Sequence, residues 1–298
     1  MAEPRDNLNS PGLYFEPPED DRANLQAMAT ILPGQFPGFI GQAPPPRGGS
    51  QLTLEDTPTF RPQQRPPMAL LCVLHDADVG GEWIPLRADR YVIARNDGDI
   101  RIQQDAQISG RQHAEIARMR LDSGAFRWHL ADLGSTNGTF VRVSKVMLLP
   151  GTEVLFGHTR YRFDTGQTPA EPTAPPPPAV DALMTARPGS QMLRRPAMPI
   201  VVPSVVEVTP GGDGPKISLI RDEYWLGRDP NECAIIPTDD PFVSPKHARF
   251  FKGENGRWRV ENNRSRNGVW LRLTQPLPVE GTCQFLLGEQ RFILKVLA

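Results

Sequence analysis

Two stretches decide how this chain reads: "DLGSTNGTF" (132–140) and "NNRSRNGVW" (262–270). Each sets Asn-Gly two residues after a Ser and follows it with strand-forming residues. Taken alone, Asn-Gly is the strongest short hairpin signal, because a type I′ turn needs φ > 0 at both central positions. Hairpin geometry is therefore the first expectation for Asn137-Gly138 and Asn267-Gly268. Upstream of each stretch the same residues recur in the same order: Arg95 and His113 before Asn137, Arg228 and His247 before Asn267. The offsets between counterparts are 133, 134 and 130 residues. A period this long indicates duplicated domains, not a solenoid.

The strand pattern agrees. From Met68 the chain runs "ALLCVL", "EWIPL", "RYVIA", "HAEIARM", "FRWHLADL", "TFVRV", "EVLFG" and "RYRFD". From Ser204 it runs "SVVEVTP", "KISLI", "EYWLGR", "HARFF", "RWRVENN", "GVWLRL", "CQFLLG" and "RFILKVLA". Short β-branched and aromatic runs punctuated by Gly, Asp, Asn and Pro predict an all-β chain of two β-sandwiches. The expected domains are 68–166 and 204–298, joined by a Pro/Ala-rich linker at 167–203 and preceded by a disordered Pro/Gly-rich arm at 1–67. Within that arm, 21–32 has the spacing of a short amphipathic docking helix. Trp128, Trp258 and Trp270 fall in strand runs and are expected to pack in the cores or at sheet edges, not to form a ligand platform.

In a sandwich of this kind Arg, Ser and Asn would gather on loops at one end, where binding residues collect. Arg supplies a planar fork of donors, Ser a hydroxyl, a neighbouring Lys or Arg a second charge. Asn can both donate to and accept from an extended backbone. That set suits a phosphate dianion carried on a peptide, about −1.5 to −2 in charge with three acceptor oxygens. It does not suit a metal, and no cofactor is expected. A Ser–His hydrolase would need a nucleophile elbow or a separately placed acid, and neither is present.

Both halves resemble forkhead-associated (FHA) domains, through Gly-Arg, Ser-x-x-His and Ser-x-Asn-Gly. The second half carries all three, as "LGRD", "VSPKHA" and "SRNGVW". The resemblance implies FHA-type sandwiches that bind phosphothreonine peptides. In the second domain it implies Arg228 and Ser244 on the phosphate, Lys246 or Arg266 helping, and Asn267 on the peptide main chain. Arg95, Ser109, Arg111, Thr136 and Asn137 are the corresponding set in the first. His113 and His247, with Gly138 and Gly268, would structure the loops. The first domain departs twice. Ala94 stands where Gly is usual, which asks for a backbone adjustment if that position needs φ > 0. Ser109 lies four residues before His113 instead of three. Either Gly110 takes the serine position or the loop re-forms around Ser109.

A net charge of −1 over 298 residues provides no global field toward nucleic acid or anionic membrane, and neither partner is expected. No apolar run approaches a membrane span. Three scattered cysteines, Cys72, Cys233 and Cys283, read as buried free thiols of a reducing compartment, so a cytoplasmic location is expected. The function expected is a non-enzymatic signalling adaptor whose partners are phosphothreonine proteins and a Ser/Thr kinase. The alternative is a phospho-independent structural scaffold within a larger assembly. "LEDTPTF" (54–60) offers Thr57 and Thr59 as self-ligands once phosphorylated.

Overall fold

A computed structural model of the protein describes residues 15–16, 68–75, 80–166, 202–237 and 239–297. The segment 21–32, Thr57, Thr59, the rest of the arm apart from residues 15–16, and residues 167–201 of the linker lie outside the described residues. Every element among the described residues is a strand.

After the two-residue β1 (Phe15–Glu16), the chain forms β2 (Ala69–Leu74), β3 (Gly81–Leu86), β4 (Arg90–Ala94), β5 (Ile100–Arg101), β6 (Ala114–Arg120), β7 (Phe126–Asp132) and β8 (Thr139–Val143). Then come β9 (Lys145–Met147), β10 (Glu153–Phe156) and β11 (Thr159–Asp164). The second repeat supplies β12 (Ser204–Thr209), β13 (Gly212–Ser218), β14 (Glu223–Leu226), β15 (Ala248–Lys252), β16 (Trp258–Asn262) and β17 (Val269–Arg272). The chain closes with β18 (Leu277–Val279), β19 (Thr282–Leu287) and β20 (Gln290–Val296).

The strands assemble into two sandwiches that are not the contiguous stretches 68–166 and 204–298. The boundaries of the compact units fall at Ser144/Lys145 and Leu271/Arg272. The first sandwich combines β2–β8 with β18–β20, in sheets ordered β8-β19-β20-β2-β3 and β18-β7-β6-β4-β5. The second combines β12–β17 with β9–β11, in sheets ordered β13-β12-β11-β10-β17 and β9-β16-β15-β14. Each repeat thus gives its C-terminal strands to the other. The registers show it directly: Pro278 pairs with His129 and Phe285 with Val141, while Val146 pairs with Val260 and Leu155 with Trp270.

The exchanged segments are equivalent in their local pattern. Both turn through left-handed glycines, Gly151 (φ 82°) and Gly157 (58°) in one, Gly281 (72°) and Gly288 (57°) in the other. Both alternate buried and partly exposed residues, with Val154 and Phe156 inward in β10 and Phe285 and Leu287 inward in β19. Each fills its adopted core. Phe285 and Phe292 stack on each other, both fully buried in the first sandwich, and Phe156 packs 5.7 Å from Phe250 in the second. Trp128, Trp258 and Trp270 are buried as expected. Cys72 and Cys233 are buried free thiols, and burial pushes the Cys72 thiol up to about 11. Cys283 is only half-buried: it shares the inward parity of Phe285 and Leu287 but lies near the start of β19, before the buried part of the strand.

Candidate functional site

The serine loop of the second sandwich begins where β14 ends. The Arg228 N–H donates to the Ser244 carbonyl at 3.2 Å, and the His247 N–H donates to Leu226 at 2.8 Å. The Ser244 N–H donates to His247 Nδ1 at 3.0 Å, so Nδ1 is the unprotonated nitrogen. Nε2–H then donates to the Gly268 carbonyl at 2.9 Å, tying the serine loop to the Ser-x-Asn-Gly loop. The ring is fully buried, and burial holds its pKa below the ordinary 6.5. His113 repeats the arrangement, accepting from the Ser109 N–H at 3.0 Å, facing the Gly138 carbonyl at 3.1 Å, and depressed by burial in the same way.

These bonds decide the alternative left open at Ser109. The Arg95 N–H donates to the Ser109 carbonyl at 2.9 Å, as Arg228 does to Ser244, so Ser109 holds the serine position. The extra residue is absorbed between Gly110 and Gln112. Ala94 is accommodated without a left-handed backbone, and Gly227 has none either. What Gly227 needs is room: a Cβ there would lie 2.1 Å from the Pro245 carbonyl oxygen and 2.7 Å from Cys233 Sγ. In the first repeat Gly110 stands where Pro245 does and the loop is one residue longer, and the Ala94 methyl is buried there.

The Asn-Gly pairs are not hairpin turns. β7 and β8 lie in opposite sheets of the first sandwich, and β16 and β17 in opposite sheets of the second, so each loop crosses between sheets. Ser135 Oγ donates to Asp132 at 2.6 Å and accepts from the Gly138 N–H at 2.9 Å; Ser265 does the same with Asn262 (2.6 Å) and Gly268 (3.1 Å). Gly138 (φ 88°) and Gly268 (φ 76°) occupy the left-handed region that glycine favours. Asn137 Nδ2 donates to the Gln107 carbonyl and Asn267 Nδ2 to the Phe242 carbonyl, both at 2.7 Å. Each amide thus joins the two loops with one hydrogen and keeps its carbonyl oxygen for other work. Trp270 Nε1 braces the second loop through the Asn267 carbonyl at 2.8 Å.

The cations differ in readiness. Arg228 and Arg266 are exposed, and the Arg266 N–H donates to Ser244 Oγ at 3.3 Å. Lys246 is instead paired with Glu232 at 3.1 Å and lies 4.2 Å over the Trp225 ring. In the first sandwich Arg111 and Thr136 are exposed, while Arg95 Nη1 donates to the Ala106 carbonyl at 3.1 Å. Among the described residues no three His, Cys, Asp or Glu side chains gather as metal ligands.

Two residues at the base of these loops were missed from sequence. Asp240, buried, accepts from the Phe242 N–H (3.0 Å), the His158 N–H (2.7 Å) and Thr159 Oγ1 (2.8 Å). Asp105, buried, accepts from the N–H groups of Gln107 (2.8 Å), Glu289 (2.7 Å) and Gln290 (3.2 Å). Each precedes its serine by four residues, a shared spacing that could have flagged them.

The sequence model of the FHA domain matches the chain at two places, residues 90–157 and 224–288. The protein carries two FHA domains in tandem. FHA domains are protein-interaction modules that generally bind phosphothreonine peptides. Among solved structures, the FHA domain of the CT664 protein from Chlamydia trachomatis is 22% identical, covering 31% of this chain and 94% of that one with a TM-score of 0.20. No curated protein matches the chain.

Proposed function

We propose that this protein is a non-enzymatic cytoplasmic adaptor that recognises phosphothreonine on partners modified by a Ser/Thr kinase. The observation that carries the reading is the second sandwich's loop cluster. An exposed Arg228 and a half-buried Ser244 are joined through the backbone, Arg266 adjoins the Ser244 hydroxyl, and Asn267 is fixed beside them. In this account Arg228 and Ser244 bind the phosphate, Arg266 adds charge, and Asn267 Oδ1 accepts from the peptide main chain. Several charge-assisted hydrogen bonds of about 1.5–3 kcal/mol each, less ordering costs, give binding of roughly micromolar strength. Ser109 in the serine position, with Arg95, Arg111, Thr136 and Asn137, makes the first sandwich a second phosphothreonine site. Its Arg95 must partly exchange its bond to Ala106 for the phosphate, which predicts the weaker of the two.

Fluorescence anisotropy of the full chain against degenerate phosphothreonine, phosphoserine and unphosphorylated peptide pools tests this. Binding should be confined to phosphothreonine, and Arg228→Ala should weaken the tighter component at least about tenfold. Equal binding to all three pools would favour the phospho-independent scaffold.

A further inference from the structure

The exchange of C-terminal strands reaches the loops of both sites. In the second sandwich the turn 157–159 comes from the first repeat, and it meets the serine loop at three places. Its His158 N–H and Thr159 hydroxyl donate to Asp240, two and four residues before Phe242 and Ser244. The His158 ring lies 4.2 Å from the exposed Phe242 ring, on the residue whose carbonyl holds Asn267. Just before the turn, Phe156 sets its ring edge-on to His247 at 5.7 Å. The first sandwich mirrors this with second-repeat residues. Glu289 and Gln290 donate backbone N–H groups to Asp105, and Gln107 Nε2 donates to Glu289 Oε1 at 2.7 Å, on the residue whose carbonyl holds Asn137. Gly157 and Gly288 make the approach possible, since a Cβ would lie 2.7 Å from the Asp240 carboxylate and 2.5 Å from that of Asp105.

We propose that each phosphothreonine site is completed by the other repeat's C-terminal hairpin, with Asp240 and Asp105 as positioning residues that clamp the serine loop to it. The proposal rests on the phosphothreonine reading above. It makes the sites reciprocally dependent: the first repeat's hairpin tunes the second repeat's site, and the second repeat's hairpin tunes the first. Neither aspartate touches the ligand. Each fixes the loop segment from which Asn267 or Asn137 takes its anchor, so loosening the clamp misplaces that asparagine and the serine together. A buried carboxylate accepting several hydrogen bonds suits this work, because losing one donor leaves costly unsatisfied charge.

The test uses full-length chains with one site silenced, Arg95→Ala to report the second site and Arg228→Ala to report the first. Adding H158A/T159V, which is milder than any change at Gly157, should weaken phosphothreonine-peptide binding about tenfold in the Arg95→Ala chain and leave it unchanged in the Arg228→Ala chain. Glu289→Ala should give the opposite pattern. Weakening confined to the repeat that carries the substitution, or no weakening in either chain, would overturn the proposal. If neither parent binds any phosphothreonine peptide, the functional reading has failed, and hydrogen exchange then reads the clamp by itself. In H158A/T159V, amides of 240–247 should exchange faster while those of 105–113 stay protected. Faster exchange at 105–113 instead, or at neither loop, would overturn the clamp.

Discussion

Arg264 holds a left-handed backbone, φ 49°, where the first repeat has Gly134 at φ 72°. A side chain in that region costs about 1 kcal/mol, and such strain persists where surrounding bonds over-determine it. Here the Asn262 side chain captures both the N–H and the hydroxyl of Ser265, at 3.2 and 2.6 Å, and so fixes the turn. The strain sets a further exposed cation beside Arg266. Arg264→Gly should therefore stabilise the protein by about 1 kcal/mol in urea denaturation, while weakening binding to peptides with acidic residues around the phosphothreonine. An unchanged denaturation midpoint would show that the loop relaxes the strain by other means. At this scale much was legible. Arg, Ser, Asn and Gly declare their chemistry by type, and the loop-structuring part of His247 was implied by the FHA resemblance of its Ser-x-x-His, that of His113 by its matching place in the repeat. Ser109 was ambiguous because a one-residue insertion shifts the spacing without saying which residue keeps the serine's bonds.

The two loops of each site are held together by a buried neutral imidazole, and this gives the element scale a pH signature. Burial lowers the pKa of both His113 and His247 below 6.5 in the folded protein. As pH falls below 6.5 the unfolded chain takes up protons that these rings refuse, so stability declines through that window and levels off once pH passes below the depressed folded values. Protonation at Nδ1 would also cancel its bond from Ser109 or Ser244. The cost is about 1.4 kcal/mol per unit of depression for each ring. His129, likewise lowered by burial, adds to the decline. The H113N/H247N variant should be less stable than the parent at pH 7.5, yet lose less on going to pH 5 by chemical denaturation. Parallel losses would assign the acid sensitivity elsewhere. Strand identity was legible here, because alternation such as Trp128/Leu130 and Trp258/Val260 marks one inward face. The partnering of the Asn-Gly loops was not, since a hairpin and a crossing between sheets share the same local turn residues.

For the whole molecule, sequence similarity between the repeats concealed the exchange. Residues 145–164 and 277–296 have equivalent turns and inward faces, so periodicity identifies strands without deciding which of two equivalent partners each one meets. Register makes the arrangement testable. His129 pairs with Pro278 in the first sandwich, and Arg259 pairs with Met147 in the second. An H129C/P278C chain should form the engineered disulfide readily by peptide mapping, because register partners bring their Cα atoms within the roughly 7 Å that a disulfide needs. Ready bridging in an H129C/M147C chain instead would restore contiguous domains.

The central claim is phosphothreonine recognition through the Arg228 and Ser244 loop cluster. Calorimetric titration of the full chain with one peptide selected from the phosphothreonine pool, beside its unphosphorylated twin, tests it most directly. Heat of roughly micromolar affinity is expected for the phosphorylated peptide alone, with the tighter site lost in Arg228→Ala and the weaker one in Arg95→Ala. Undiminished binding by the R95A/R228A chain, or equal heat from the unphosphorylated twin, would contradict it.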